Sequence, residues 1–208
     1  MGYNFRSFFN LNTTKLTSIK SILVLLLFYI CEMIISLRIL VGLFILILFT
    51  QLQIELHLLK VNIPVTGQSL VILLVPYVLG LKEGVITILL YLIIGFVGIP
   101  VFADGGNGIT AFTGNSGGYL IGFLFGGFLS GYLSEKYRNT LFNSLIAMLF
   151  GTLVILFFGV GRLTLNLGIS KAIIYGFNPF VLGGIVKIVL GGLLGWLIKK
   201  FLISKDMI

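Results

Sequence analysis

The stretch GFVGIPVFADGGNGITAFTGNSGGYLIG, Gly95 to Gly122, decides how the rest of the chain is read. It lies between two apolar segments and carries Gly98, Gly105, Gly106, Gly108, Gly114, Gly117 and Gly118, with Asp104, Asn107, Asn115 and Ser116 among them. A loop so rich in glycine folds back readily and can offer backbone N–H and C=O groups to a ligand. Beside a membrane such irregular backbone is tolerated only where protein or a water-filled cavity covers it. The stretch therefore reads as a re-entrant, lid-like element over a polar pocket. The plain alternative is a flexible loop between two helices.

The membrane follows from composition. Of 208 residues 58% are hydrophobic and 10% charged, and mean hydropathy is +1.17. Soluble domains carry roughly 25% charged residues. Runs of Leu, Ile, Phe and Gly predict an all-α integral membrane protein, not a barrel of alternating strands. The net charge of +8 marks cytoplasm-facing loops and gives no reason to expect a nucleic-acid partner. Cys31 is the only cysteine and His57 the only histidine, so neither a disulfide nor a metal site is expected.

Outward from the glycine stretch, six spans are predicted at about 39–56, 66–81, 84–103, 118–133, 141–165 and 180–202. Connections are expected at Lys60–Pro64, Lys82–Glu83, the glycine stretch, Glu135–Arg138 and Leu167–Asn178. Residues 1–37 form an extension whose apolar part, 21–37, is interrupted by Glu32 and resembles a further membrane segment or a targeting region. Residues 203–208 form a tail. Arg38, Lys82, Lys136, Arg138, Lys199, Lys200 and Lys205 fall on one side of the six alternating spans, which the positive-inside rule places in the cytoplasm. Lys60, Arg162 and Lys171 fall on the other.

The outer side then collects Thr66, Gln68, the glycine stretch, Arg162 and Asn178. Lys187, seven residues into the last span, lies about 10 Å below its outer end. An ionised group inside a span marks a substrate or ion path unless its stem snorkels to the interface. Thr66 and Gln68 are equally suited to capping a helix, and Asn107 and Asn115 to turns. Taken together they predict an apolar pocket with a few polar groups, where a lysine favours a carboxylate ligand.

Three segments carry a resemblance: IPVTGQSLVILLVPYVLG (63–80), EGVITILLYLIIGFVGIPVFADGGNGITAFTGNSGGYLIGF (83–123) and the last span with Lys187. Over about residues 38–202 they resemble BioY, the biotin-binding S component of energy-coupling-factor (ECF) vitamin transporters. The run GIPVFADGGNG…GNSGGYLIGF stands where the family has GLPVFAGG…GPTGGYLIGF. The resemblance implies a bundle of six transmembrane helices, no catalysis and no cofactor. It also implies biotin as ligand, and a partner module made of a coupling transmembrane subunit and ATPase subunits, all within membrane lipid. Position by position it implies substrate contacts at Gln68, Asn107, Tyr119 and Lys187. The family's PGD-x-x-K segment here reads Leu182–Gly183–Gly184–Ile185–Val186–Lys187, so an acid is replaced by Gly184, and Asp104 is a candidate to compensate. Of the small residues expected to face the coupling subunit in the first core span, Gly42 alone remains.

The expected function is thus a membrane subunit that binds biotin for uptake, in the plasma membrane or that of a plastid. The alternatives are an S component for another small vitamin, a non-transport assembly role, or an enzyme with GGNG as a phosphate cradle. The last is disfavoured because that segment has neither a preceding strand nor a Gly-Lys-Ser/Thr.

Overall fold

The computed structural model describes the backbone of residues 19–51, 53–58 and 61–205, and side chains at 29–30, 32–51, 67–178 and 183–205. Arg6, Lys15, Lys60 and tail residues 206–208 lie outside the described residues, as do the side chains of Lys20, Cys31, His57, Pro64 and Thr66. The chain divides into two compact units, Met1–Leu37 and Arg38–Ile208. Of the first, the helical residues 19–37 are described; all that follows concerns the second.

Helix α1 is Ile19–Gln51, α2 Gln68–Leu79, α3 Leu81–Phe96, α4 Gly108–Thr113, α5 Gly117–Lys136, α6 Leu141–Leu167, α7 Ile169–Ala172 and α8 Asn178–Ser204. Strands β1 (Gln53–Leu58) and β2 (Val61–Thr66) pair antiparallel, with Gln53 opposite Thr66 and Leu58 opposite Val61. The hairpin corrects the expected span 39–56, which stops at Gln51. Gln53-Ile54-Glu55-Leu56-His57-Leu58 alternates polar with apolar, the period of a strand and not of a helix. Pro64 is tolerated because a two-stranded hairpin has only edges. Elsewhere the expected spans are helices with shifted ends. Lys82 and Glu83 lie inside the first turn of α3, because the break falls earlier, at Gly80 (φ 94°). The third span ends at Phe96, and most of 167–178 is helical, as α7 and a π turn over Ile173–Phe177.

Helix α5 is the axis of the bundle, and its glycines make it so. A methyl at Gly126 would lie 2.8 Å from the Gly151 carbonyl oxygen, and one at Gly122 2.9 Å from Ile155 Cα. Gly118, one turn further, meets Phe158 and Arg162 of the same helix α6. The opposite face, Gly127 and Gly131, lies against Pro76 of α2 and against Ile88 and Leu81 of α3. Small residues four apart let backbones close to van der Waals contact where lipid supplies no hydrophobic drive. Hydroxyls join the same contacts: Ser130 Oγ donates to the Leu73 carbonyl at 2.9 Å and Ser144 Oγ to that of Gly192 at 2.7 Å. The Leu73 carbonyl stands next to that of Ile72, the one Pro76 leaves without an intrahelical donor.

Tyr77, Tyr91, Ile72, Ile88 and Met148 are fully buried between these helices, while Leu40, Phe44, Phe125, Phe157 and Leu193 point outward. An apolar exterior over a packed interior is the surface of a membrane bundle. Residues Glu32–Gln51 and Leu141–Leu167 are each long and apolar enough to cross a bilayer. Gly42 does not face outward as expected: Leu79, Thr87 and Val75 lie 3.0 to 3.4 Å from the position of its missing methyl. At one end of the bundle Arg38 Nη1 meets Glu83 Oε1 at 3.5 Å. The glycine stretch closes the other.

Candidate functional site

Helix α2 has 12 residues, a rise of about 18 Å against a hydrocarbon core of about 30 Å. Such a helix cannot cross the bilayer alone, so its first turn, with Gln68 and Ser69, can start below the surface. That turn forms one wall of a cavity of about 320 Å³. Leu73, Leu120, Phe123, Met148, Ile155 and Leu163 give it apolar sides. Tyr119, Thr152, Tyr175, Gly184 and Lys187 line it from α5, α6, the π turn and α8, and Phe102, Ala103, Asp104, Gly106, Ala111, Asn115 and Ser116 cover it. The volume is at the lower end of the range for small-molecule sites, and the mixture of apolar walls with few polar groups is typical of them.

Lys187 Nζ donates to Ser69 Oγ at 2.8 Å across the cavity. Among the described residues no carboxylate lies within ion-pair distance of it. An ammonium with a neutral partner retains donors for an anion. Tyr119 closes another side: its ring fills the space over Gly159, and its hydroxyl donates to the Gly176 carbonyl at 2.9 Å, holding the π turn. Gln68 donates to the hydroxyl of Tyr91 at 2.7 Å and caps nothing, since it is the first residue of α2 and the N-cap is Gly67, with no side-chain cap bond.

The cover is built from both halves of the glycine stretch. Phe102 is its hydrophobic anchor. The ring packs where a side chain at Gly95 would stand, 5.3 Å from the ring of Tyr91 and 5.8 Å from that of Phe112, edge to face in both cases. Tyr91 donates to the Val101 carbonyl at 3.0 Å. At the other foot Arg162 Nη2 donates to the Thr113 carbonyl at 2.5 Å, and Asn166 to Asn115 Oδ1 at 3.0 Å. Between the feet the backbone turns through left-handed conformations at Asp104 (φ 57°), Gly105 (φ 69°) and Gly108 (φ 65°). Methyls at Gly105 and Gly108 would meet nothing, so conformation and not crowding selects glycine there. Asp104 adopts the same region because a short polar side chain tolerates it.

Gln68, Asp104, Tyr119 and Lys187 thus share one cavity. Asn107 is not among its lining residues: Nδ2 donates to the Gly105 carbonyl at 3.1 Å, and its own carbonyl accepts from Thr110 Oγ1 at 3.1 Å. Ser69, Thr152 and Tyr175 were missed. Thr152 and Tyr175 sit in apolar runs where nothing in the sequence distinguishes them from packed residues, and Ser69, next to Gln68, is explained by the local bonding of a first helical turn.

Comparison with known proteins agrees with this architecture. A biotin transporter BioY of Rhizobium etli is 35% identical over 145 residues, 65% of this chain and 77% of that protein. One from Thermotoga maritima is 35% identical over 144 residues, 69% of this chain and 85% of that protein. The crystal structure of an S-component for biotin from an ECF-type ABC transporter superposes with a TM-score of 0.67 at 27% identity, over 81% of this chain and 92% of that one. The profile of the BioY family matches residues 17–204, nearly the whole chain and including all of α1. This helical membrane bundle, with its hairpin and covered cavity, belongs to the BioY family.

Proposed function

We propose that the chain binds biotin on the outer face of the plasma membrane and passes it inward when a separate coupling subunit with its ATPases engages it. The observation that carries the reading is Lys187: a cation on the wall of an apolar cavity, held by a hydroxyl and by no described acid. Biotin is a bicycle with an apolar thioether ring and a polar ureido edge, carrying an apolar chain that ends in a carboxylate. The carboxylate belongs on Lys187, and the ring system beneath 103–112, with Gln68, Tyr119 and Asp104 around its polar edge. Asn107 joins when the cover closes and its amide leaves Gly105. A plastid membrane is the alternative location, and the same geometry serves either.

Binding of labelled biotin to the purified protein tests this, with unlabelled biotin as competitor. Saturable binding that weakens in Lys187→Ala supports it; absence of saturable binding up to about 1 mM, where the association is worth only about 4 kcal/mol, refutes it. Co-purification with coupling subunits, with and without biotin, tests the partner.

A second reading has its own observation. Gly184 lines the cavity where the family pattern has an acid, and a methyl there would touch only Thr152 Cγ2, at 3.9 Å. That space suits a ligand differing from biotin at its polar edge. A thermal-shift panel of water-soluble vitamins separates the two: stabilisation by another vitamin and not by biotin selects this reading.

A further inference from the structure

Tyr91 lies in the middle of α3, fully buried, and does not itself line the cavity. Its hydroxyl nevertheless joins three elements. Gln68 of the cavity wall donates to it at 2.7 Å; it donates to the Val101 carbonyl at the foot of the cover at 3.0 Å; and Thr50 Oγ1, in the last turn of α1, lies 3.2 Å away. Thr50 gives its own proton to the Leu46 carbonyl at 2.7 Å. Two hydroxyl protons therefore already have carbonyl acceptors, and the Tyr91–Thr50 contact becomes a hydrogen bond only if one carbonyl is given up. The chain Gln68 to Tyr91 to Val101 is polarised in one direction, each donor strengthening the next. Gln51 of α1 reaches towards the same foot, with Nε2 3.4 Å from the Pro100 carbonyl.

We propose that Tyr91 is a positioning residue that ties the first foot of the cover to the cavity wall, so that a ligand touching Gln68 also sets the cover. The link to a ligand rests on the proposed function; the tie itself does not. A ligand that draws the Gln68 amide towards the cavity removes the donor to Tyr91. The Tyr91 hydroxyl then loses the incoming bond that polarises it, its own bond to the Val101 carbonyl weakens, and the foot loosens with occupancy.

Hydrogen exchange on the full chain in lipid nanodiscs tests it, using Tyr91→Phe, which keeps the ring against Phe102, and Thr50→Val as control. In the absence of any ligand, Tyr91→Phe should speed exchange of the Phe102 and Gly106 amides about tenfold, the factor that one net hydrogen bond supplies. These two amides close the turn at that foot, bonding the Gly106 and Ala103 carbonyls. Amides of α5 and α6 should keep wild-type rates, and Thr50→Val should leave the foot unchanged. Wild-type rates at the foot in Tyr91→Phe overturn the proposal; so does equal loosening of α5 and α6, which reports a general packing role. Added biotin should alter exchange at the foot in the wild type and leave it unaltered in Tyr91→Phe. If biotin binds in the equilibrium assay and leaves the foot unaltered in the wild type, the link between ligand and cover is overturned; if it does not bind, the proposed ligand fails, while the ligand-free comparison still decides the role of Tyr91.

Discussion

Replacing Lys187 by methionine separates the charge from the space it fills. The stem keeps nearly its length and apolar contacts, and the ammonium is lost. Two effects of opposite sign follow. In the empty protein the ammonium is shielded by Ser69 Oγ at 2.8 Å and by no described carboxylate. Its removal relieves a partly compensated desolvation, so empty Lys187→Met should be more stable, by about 1–3 kcal/mol. In the complex the lost contact is a charge-assisted hydrogen bond, worth about 1.5–3 kcal/mol. At 1.4 kcal/mol per decade this weakens biotin roughly 10- to 150-fold. Thermal unfolding in lipid reads the first effect and equilibrium binding the second. The neutral primary amide of biotin completes the cycle. Wild type should prefer the acid over the amide by about the same factor, and Lys187→Met should bind both alike. If Lys187→Met keeps full biotin affinity, or still prefers the acid, the carboxylate does not sit on this lysine and the ligand pose is wrong.

Gly184→Asp introduces a carboxylate one helical turn before Lys187 without collision, since only Thr152 Cγ2 lies near, at 3.9 Å. It should tighten biotin about tenfold through a charged acceptor for the ring N–H groups, measured by equilibrium binding; weaker binding means that the new acid neutralises Lys187 instead. Asn107→Ala should leave the association rate unchanged and speed dissociation of labelled biotin, because the amide is engaged with Gly105 until the cover closes. Gly126→Val drives a branched side chain into the Gly151 carbonyl and should cost about 1–3 kcal/mol or more, read as a lower unfolding midpoint. Gly161→Ala, on the facing helix but in open space, should instead gain about 0.5–1 kcal/mol.

What the sequence disclosed depended on contrast. The α5 segment GGYLIGFLFGGFLSGYL states its packing directly, because glycine at 118, 122 and 126 has no other use in a lipid-spanning helix than close approach. Lys187 stood out because a cation in an apolar run has few cheap explanations. The strand Gln53–Leu58 was legible by its alternation, but hydropathy averaged over a window merged it with the helix before it. Tyr91 was not legible. In YLIIGF a tyrosine looks like any core aromatic, and its role lies in partners 41 and 23 residues away, at Thr50 and Gln68. Ser69 was hidden in the same way, since a serine in the first turn of a helix is explained by local bonding, whereas its partner is 118 residues distant. Gly42 misled because a small residue on an apolar helix has two faces to serve, and the sequence does not say which. Here it admits Leu79 and Thr87.

The way the cover is fastened limits how it can move. One foot is held by Tyr91 and by Phe102 seated over Gly95, the other by Arg162 and Asn166 of α6. Tyr91, Gly95, Arg162 and Asn166 belong to α3 and α6, which pack against the glycines of α5, so each foot is fastened to the bundle itself. Between them Gly105 and Gly108, both left-handed, have open space where a side chain would stand, so a change of φ and ψ there meets no crowding. The least constrained part of the cover is therefore the turn over 105–108, between the two feet. A segment so placed opens on the fast timescale of loops and not on that of helix rearrangement. It follows that binding and release of a ligand at this end need not alter the helices. A step that carries the ligand to the opposite end then calls for a force applied to the bundle from outside the cover, which is the part that the proposed function gives to a coupling module.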